Sequence, residues 1–254
     1  MDLAADSLKL TIGNLTICQN FNINFQAGQF WGILGINGAG KTTLLHTLNG
    51  LISPQKGQVY LQGQNIRDLP GKIVAQQIAL LLQEYEFNFS CSVMEAALIG
   101  RHPHLQNWQW EDEQDQQIAL QALADTGISH LQHRQTDTLS GGEKRRLNIA
   151  SVLTQDPSIF LLDEPTNHLD VKAQLEMLTL FKTLVLERRK TVIMVIHDPN
   201  LAVRYCDHVL LLMGQGQTLS GITEETMNST NLSRLYQCRI KKISSDGHEF
   251  YFPV

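Results

Sequence analysis

The chain has 254 residues, 43% of them hydrophobic and 18% charged, which is long enough for a substantial buried core and lies within ordinary globular composition. Lys plus Arg at 20 against Asp plus Glu at 25 gives −5, which argues against a broadly basic nucleic-acid surface and leaves room only for a local basic patch. The four cysteines, Cys18, Cys91, Cys206 and Cys238, are far apart and form no CxxC pair, so they fit reduced structural thiols better than a disulfide or zinc framework. No segment approaches the ~18 to 20 consecutive apolar residues of a membrane helix. The first residues also lack the basic-then-apolar layout of a signal peptide. A cytosolic chain is expected, with any membrane link made through a partner.

From the start, Leu8 to Phe25 alternates apolar and polar residues around Gly13-Asn14, as a half-buried antiparallel strand or hairpin would. The apolar run Phe30 to Leu34 leads into glycines and then a helix-like spacing of Leu44, Leu45 and Leu48, giving strand, loop and helix. Between Ser90 and Asp137 the pattern turns helical and rich in Gln, Glu and Asp, and it reads as a helical insertion. Two β-rich runs, Ser158 to Leu162 and Thr191 to Ile196, flank an amphipathic stretch with Val171, Leu175, Leu178, Phe181 and Val185 at helical spacing. That is a βαβ unit with both strands buried in a parallel sheet. After Gly221 a short helical piece precedes Arg239 to Val254, which is either a terminal hairpin or a partly ordered tail.

Gly35-Ile36-Asn37-Gly38-Ala39-Gly40-Lys41-Thr42 matches G-x-x-x-x-G-K-[ST] between a strand and a helix, the setting a phosphate-binding loop requires. Its glycines let backbone N–H groups curl round phosphate oxygens, and the helix N-terminus adds positive partial charge. Lys41 neutralises the β and γ oxygens, and Thr42 offers a hydroxyl to Mg²⁺. The ATP-binding set on this reading is Asn37, Gly38, Ala39, Gly40, Lys41, Thr42 and Thr43.

Ile159 to Leu162 is an apolar strand ending in Asp163 and Glu164. Strand alternation would point the two carboxylates to opposite faces, so Asp163 can serve the metal while Glu164 works as general base or positions the attacking water. Without the phosphate loop, the pair would read as an acidic cap on the following helix.

Leu139-Ser140-Gly141-Gly142-Glu143 precedes the helical run Lys144 to Leu153. Ser140 and two glycine N–H groups thus sit at a helix N-terminus, an anion-binding geometry, and Ser140 with Glu143 also fits a capping box. One nucleotide has a single γ-phosphate, already held by the phosphate loop. A second phosphate-binding helix therefore suggests the ATP of a second subunit.

These motifs, with Gln83 ending the strand Ile78 to Leu82, the turn Asn167-His168-Leu169-Asp170 and the strand-terminal His197, resemble the ATPases of ABC transporters. The resemblance implies an α/β fold: a P-loop NTPase core with an antiparallel β subdomain and an inserted helical subdomain. The core would span 1–89 and 138–230, the helical subdomain 90–137 and a C-terminal tail 231–254. In that family two copies stack head to tail and clamp each ATP between the phosphate loop of one and the signature of the other. Carried over by position, Ser140, Gly141 and Gly142 bind ATP in trans. Thr42, Gln83 and Asp163 serve Mg²⁺, Gln83 also senses the transport partner, Asp170 orders the opposite site, and His197 contacts the γ-phosphate. Three departures stand out. Glu143 replaces the usual glutamine, Asn167-His168 replaces Ser-Ala, and Ile12 and Ile17 occupy the region of the adenine-stacking aromatic.

Val93 to His104, His197 to Ala202 and Arg204 to Asp207 are similar to the corresponding segments of iron-siderophore, haem and cobalamin importer ATPases. In those systems two ATPases bind two many-spanning permeases, with a substrate-binding protein engaged indirectly, so the resemblance implies a place on the inner face of the membrane. Tyr85, Phe87 and Phe89 would line the groove for a permease coupling helix, or pack the subdomain's own core. A soluble ABC ATPase acting on nucleic acid or ribosomes is the competing reading, although neither a coiled-coil insert nor a tandem second cassette is present. A kinase using the phosphate loop alone would leave the signature helix and His197 without work.

Overall fold

The computed structural model describes residues 2–83, 90–106, 108–245 and 248–254. Its strands are β1 (Leu3–Ile12), β2 (Leu15–Phe25), β3 (Phe30–Gly35), β4 (Lys56–Leu61), β5 (Gln64–Asn65), β6 (Ile78–Leu81), β7 (Ile159–Leu162), β8 (Thr191–Val195), β9 (His208–Gly214), β10 (Gln217–Ile222), β11 (Ile240–Ser245) and β12 (His248–Pro253). The helices are α1 (Lys41–Leu48), α2 (Gly71–Gln77), α3 (Val93–Leu98), α4 (Glu113–Asp125), α5 (Gly141–Thr154), α6 (Val171–Arg188), α7 (Pro199–Tyr205), α8 (Thr223–Thr226) and α9 (Ser229–Tyr236).

A six-stranded sheet of order β10-β9-β3-β8-β7-β6 forms the centre, with β10 alone antiparallel to its neighbour. The continuous apolar runs follow from burial on both faces. Along β3, Phe30 and Leu34 enter one core while Trp31 and Ile33 enter another. On β7, Phe160 and Leu162 face the first and Ile159 and Leu161 the second. The first core is closed by α6, through Leu178, Phe181 and Val185, and the second by α1 and the antiparallel sheet β2-β1-β4-β5. The β1–β2 hairpin turns at Gly13-Asn14 as its alternation predicts.

The expected face of α6 needs one correction. Val171 is 73% exposed: it is the first residue of the helix, directly after the Asp170 cap, and in the same turn it is Ala173 that enters the main core.

The helices α3, α4 and α5 share a separate apolar cluster. Capping boxes start the first two, Ser92 with Glu95 and Asp112 with Asp115, each satisfying N–H groups that a helix leaves without partners. The helix α5 belongs to both bodies: Leu147 and Ala150 enter the helical cluster, while Ile149 and Val152 enter the main core. At the C-terminus the chain forms a docked hairpin. Tyr251 of β12 is buried, its hydroxyl donates to Met227 O, and its backbone exchanges hydrogen bonds of 2.7 and 3.2 Å with the Asn200 side chain on α7. Tyr85, Phe87 and Phe89 lie outside the described residues.

Candidate functional site

The phosphate loop occupies the crevice at the end of β3. Gly38 and Gly40 have φ of 77° and 94°, values that strain any residue with a Cβ. At Gly40 a Cβ would also come within 2.4 Å of Ile17. Lys41 is buried, and its ammonium donates to its own loop at Gly35 O (2.9 Å) and Ile36 O (3.1 Å). Burial lowers its pKa, while the Glu164 and Asp163 carboxylates oppose that shift. An open cleft of about 590 Å³ takes in Asn37 through Thr43 together with Gln83, Glu164, Asn167 and His197. Fixed N–H groups, a lysine and a helix N-terminus here suit a polyphosphate.

The two carboxylates are separated by a different device from strand alternation. The strand β7 ends at Leu162, and Glu164 lies beyond it in the left-handed region with φ of 49°. A turn, not a pleat, therefore sets the two directions. Asp163 is 1% exposed, and no donor meets either of its carboxylate oxygens in hydrogen-bonding geometry. Burial raises its pKa, against opposing effects of the Thr42 hydroxyl, His46 and Lys41. A buried carboxylate without a donor, beside a threonine hydroxyl, fits a hard cation such as Mg²⁺ with oxygen ligands.

Glu164 is the meeting point of the cleft. Gln83 Nε2 donates to its Oε2 at 3.2 Å, Asn167 Nδ2 donates to the same oxygen, and His197 Nε2 contacts Oε1. The strand ends of β6, β7 and β8 thus bring Gln83, Glu164 and His197 together, although they are far apart in sequence.

Of three further contributors, two showed in the sequence only as departures from the family pattern and the third, Arg145, was missed. Asn167 stood out only as a departure in a turn, yet its amide holds Glu164. Ile12, at the tip of β1, lines the cleft and is 48% exposed, whereas Ile17 is buried beneath Gly40. The aliphatic side chain thus stands at the cleft in place of an aromatic ring. Arg145, on α5, is buried and donates to carbonyls of Leu82, Gln83, Asp163, Glu164 and Pro165. An arginine within a charged helical run carries no local sign that it will be buried.

The signature residues sit elsewhere. Ser140 caps α5 and its hydroxyl donates to Glu143 Oε2 at 2.8 Å, while its backbone N–H donates to the same oxygen at 2.7 Å. Gly141 has open space where a Cβ would lie. Ser140 and Gly142 line a second concavity of about 370 Å³ with His168, Leu169 and Asp170. Asp170 caps α6 through the Ala173 N–H at 2.8 Å. The two concavities have no lining residue in common, so this chain does not bring its signature to its own phosphate loop. The turn 167–170 runs between them, with Asn167 in one and His168 in the other.

A phosphate-loop cleft with a glutamate–histidine contact, and a signature helix set apart from it, defines a nucleotide-hydrolysing cassette. The sequence profile described as ABC transporter matches residues 18–167, and the chain belongs to that family as an ATP-binding subunit and an ATPase. Similar proteins include the ferric enterobactin transport ATP-binding protein FepC of Escherichia coli, 38% identical over 93% of this chain and 88% of that protein. The petrobactin import ATP-binding protein FpuD of Bacillus anthracis is 35% identical over 94% of this chain and 88% of its own length. Among solved structures, an inward-facing ABC transporter described as of metal-chelate type matches with a TM-score of 0.86 and 28% identity, covering 99% of this chain and 97% of that one. Among the described residues no helix is long and apolar enough to cross a membrane.

Proposed function

We propose that this chain powers an importer of iron–siderophore complexes or related metal chelates. It would work as a head-to-tail homodimer held against many-spanning permeases on the inner face of the membrane, with a substrate-binding protein engaged indirectly. The observation that carries the dimer is the separation of the two half-sites: one copy offers the phosphate loop and Glu164, the other Ser140, Gly141, Gly142 and Asp170. The siderophore-transport relatives support this cargo class.

ATP would draw Lys41 from Gly35 O and Ile36 O onto its phosphates and accept N–H donors from Asn37 to Thr43. Thr42, Gln83 and Asp163 would hold Mg²⁺, which when bound offsets charge on the phosphate oxygens. Glu164 would accept the proton of the attacking water, with its carboxylate aimed by Asn167 and Gln83. His197, already against Glu164, would hydrogen-bond the γ-phosphate or the water. Closure of the dimer on ATP performs the mechanical step, and hydrolysis with product release resets it.

The division of labour follows the three parts of the chain. Residues 1–89 and 138–230 would bind and hydrolyse ATP, 90–137 would carry the motion, and 231–254 would brace the region of α7. A concavity of about 440 Å³ beside β6, rimmed by Leu51 (64% exposed), Ile66 and Leu69, would receive the permease's coupling helix. Affinity purification of the tagged chain from native membranes in mild detergent, followed by mass spectrometry, tests the proposal. A stoichiometric many-spanning protein is expected. Recovery with nucleic acid or ribosomes and no membrane subunit would remove the importer role.

A further inference from the structure

Arg145 occupies the second turn of α5, the helix that starts at the signature. Its guanidinium points away from solvent, with the residue only 5% exposed. Nε donates to Pro165 O (3.0 Å), Nη1 to Leu82 O (2.9 Å) and Gln83 O (3.1 Å), and Nη2 to Asp163 O (2.8 Å) and Glu164 O (2.5 Å). One planar group therefore ties the signature helix to the end of β6 and to the turn after β7. A planar fork with five N–H donors suits this task, and an ammonium, which has three donors radiating from a point, does not.

These carbonyls belong to the segments whose side chains do the chemistry. Glu164 is held at φ of 49°, a conformation that a non-glycine residue keeps only where its surroundings enforce it. The carbonyls on both sides of its Cα, Asp163 O and Glu164 O, are fixed by the same Nη2. Gln83, whose amide reaches Glu164, has its own carbonyl on Nη1. The other contacts of α5 face different bodies, with Leu147 in the helical cluster and Ile149 in the main core. A tilt of α5 therefore pulls directly on the backbone beneath Glu164 and Gln83.

We propose that Arg145 is a positioning residue for hydrolysis, a rigid coupler that sets Glu164 and Gln83 according to the placement of the signature helix. This rests on Glu164 being the general base. The hydrogen bonds of Arg145 go to the segments after β6 and β7 and not to the phosphate loop, so ATP affinity and turnover should separate when the coupler is altered.

The test compares the full-length protein with its Arg145→Lys, Glu164→Gln and double variants, measuring ATP affinity, kcat, KM and melting temperature. For Arg145→Lys, kcat should fall roughly ten-fold or more while ATP affinity stays within about three-fold. The double variant should lose far less than the product of the two single losses, because one residue acts through the other. A folded Arg145→Lys protein with unchanged kcat, a parallel loss of affinity and turnover, or multiplicative losses in the double variant would each overturn the proposal. If Arg145→Lys does not fold, Arg145→Gln, which keeps a planar amide donor, takes its place in the same measurements. Normal turnover in Glu164→Gln would instead defeat the assignment of the base, an outcome distinct from failure of the coupler.

Discussion

His197 Nε2 lies against Glu164 Oε1, so the histidine just beyond β8 and the carboxylate just beyond β7 form one unit. The Tyr236 hydroxyl donates to His197 O at 3.3 Å, which steadies the backbone of this segment from α9. Replacing His197 with alanine removes an orienting partner and leaves the phosphate loop untouched. Hydrolysis should fall by about 100-fold or more with ATP affinity retained, as measured by steady-state phosphate release and equilibrium binding. Unchanged turnover would take His197 out of the mechanism.

At the mouth of the same cleft Ile12 offers an aliphatic surface where a base would rest. Such a surface excludes water but reads no hydrogen-bonding edge, so ATP and GTP should bind with similar affinity. Ile12→Trp should tighten both by roughly five-fold through ring stacking, and Ile12→Ala should weaken both. Titrations with the two nucleotides check this, and strong discrimination by the unaltered protein would place the base elsewhere.

Arg101 Nε donates to Asp115 Oδ1 at 2.7 Å, and both side chains are largely buried where the start of α4 meets the end of α5. Burial pushes the Asp115 carboxyl up, but Arg101 and the Asp112 N–H overcome it and hold the pKa below the ordinary value. A carboxylate depressed in the folded state contributes stability that is complete above its unfolded pKa of about 3.9 and is lost as pH falls through the lower folded value. Arg101→Gln should therefore destabilise by about 2 kcal/mol at neutral pH. The difference should shrink below pH ~4, as followed by denaturant unfolding. A constant difference across that range would detach the stabilisation from the ion pair.

The cysteines differ in reactivity for physical reasons. Cys238 is exposed, Cys18 is pushed up to about 11 by burial, and burial with Asp207 nearby raises Cys206 further. Since the thiolate is the reactive form, an aromatic disulfide reagent at pH ~8 should modify Cys238 quickly and Cys91 more slowly. Cys18 and Cys206 should react only after unfolding. Rapid loss of four thiols from the folded protein would contradict the packing.

Asn200 binds both the N–H and the C=O of Tyr251, so Asn200→Ala should loosen the C-terminal hairpin. Destabilisation of about 1–3 kcal/mol is expected from the orphaned backbone groups. Limited proteolysis should then clip the end of the chain while the remainder persists, and an unaltered digestion pattern would mean the hairpin is held by other contacts.

The legible parts of this protein were those whose information is local. The apolar runs of β3, β7 and β8 announced a buried parallel sheet, because a strand covered on both faces has no polar positions to spare. The phosphate loop could be read because its glycines, Lys41 and Thr42 act within a single turn. Val171 misled because periodicity reports which residues share a face, and not whether anything covers the first position of the helix. The Asp163-Glu164 pair misled on geometry for a similar reason: strand alternation lapses at the last hydrogen-bonded residue, and the φ of Glu164 is decided by what surrounds it.

Sequence alone determined that this chain is an ATPase of the ABC kind, since each motif carries its own chemistry and their order along the chain is itself specific. Tertiary structure decided what the motifs do to one another. It gathered Gln83, Asn167 and His197 around Glu164, set the signature in a concavity apart from the phosphate loop, docked the terminal hairpin on Asn200, and buried Arg145 against the two segments that follow β6 and β7. Those outcomes depend on where strands end and how a helix straddles two cores, and such long-range relations leave no mark on the residues next to them.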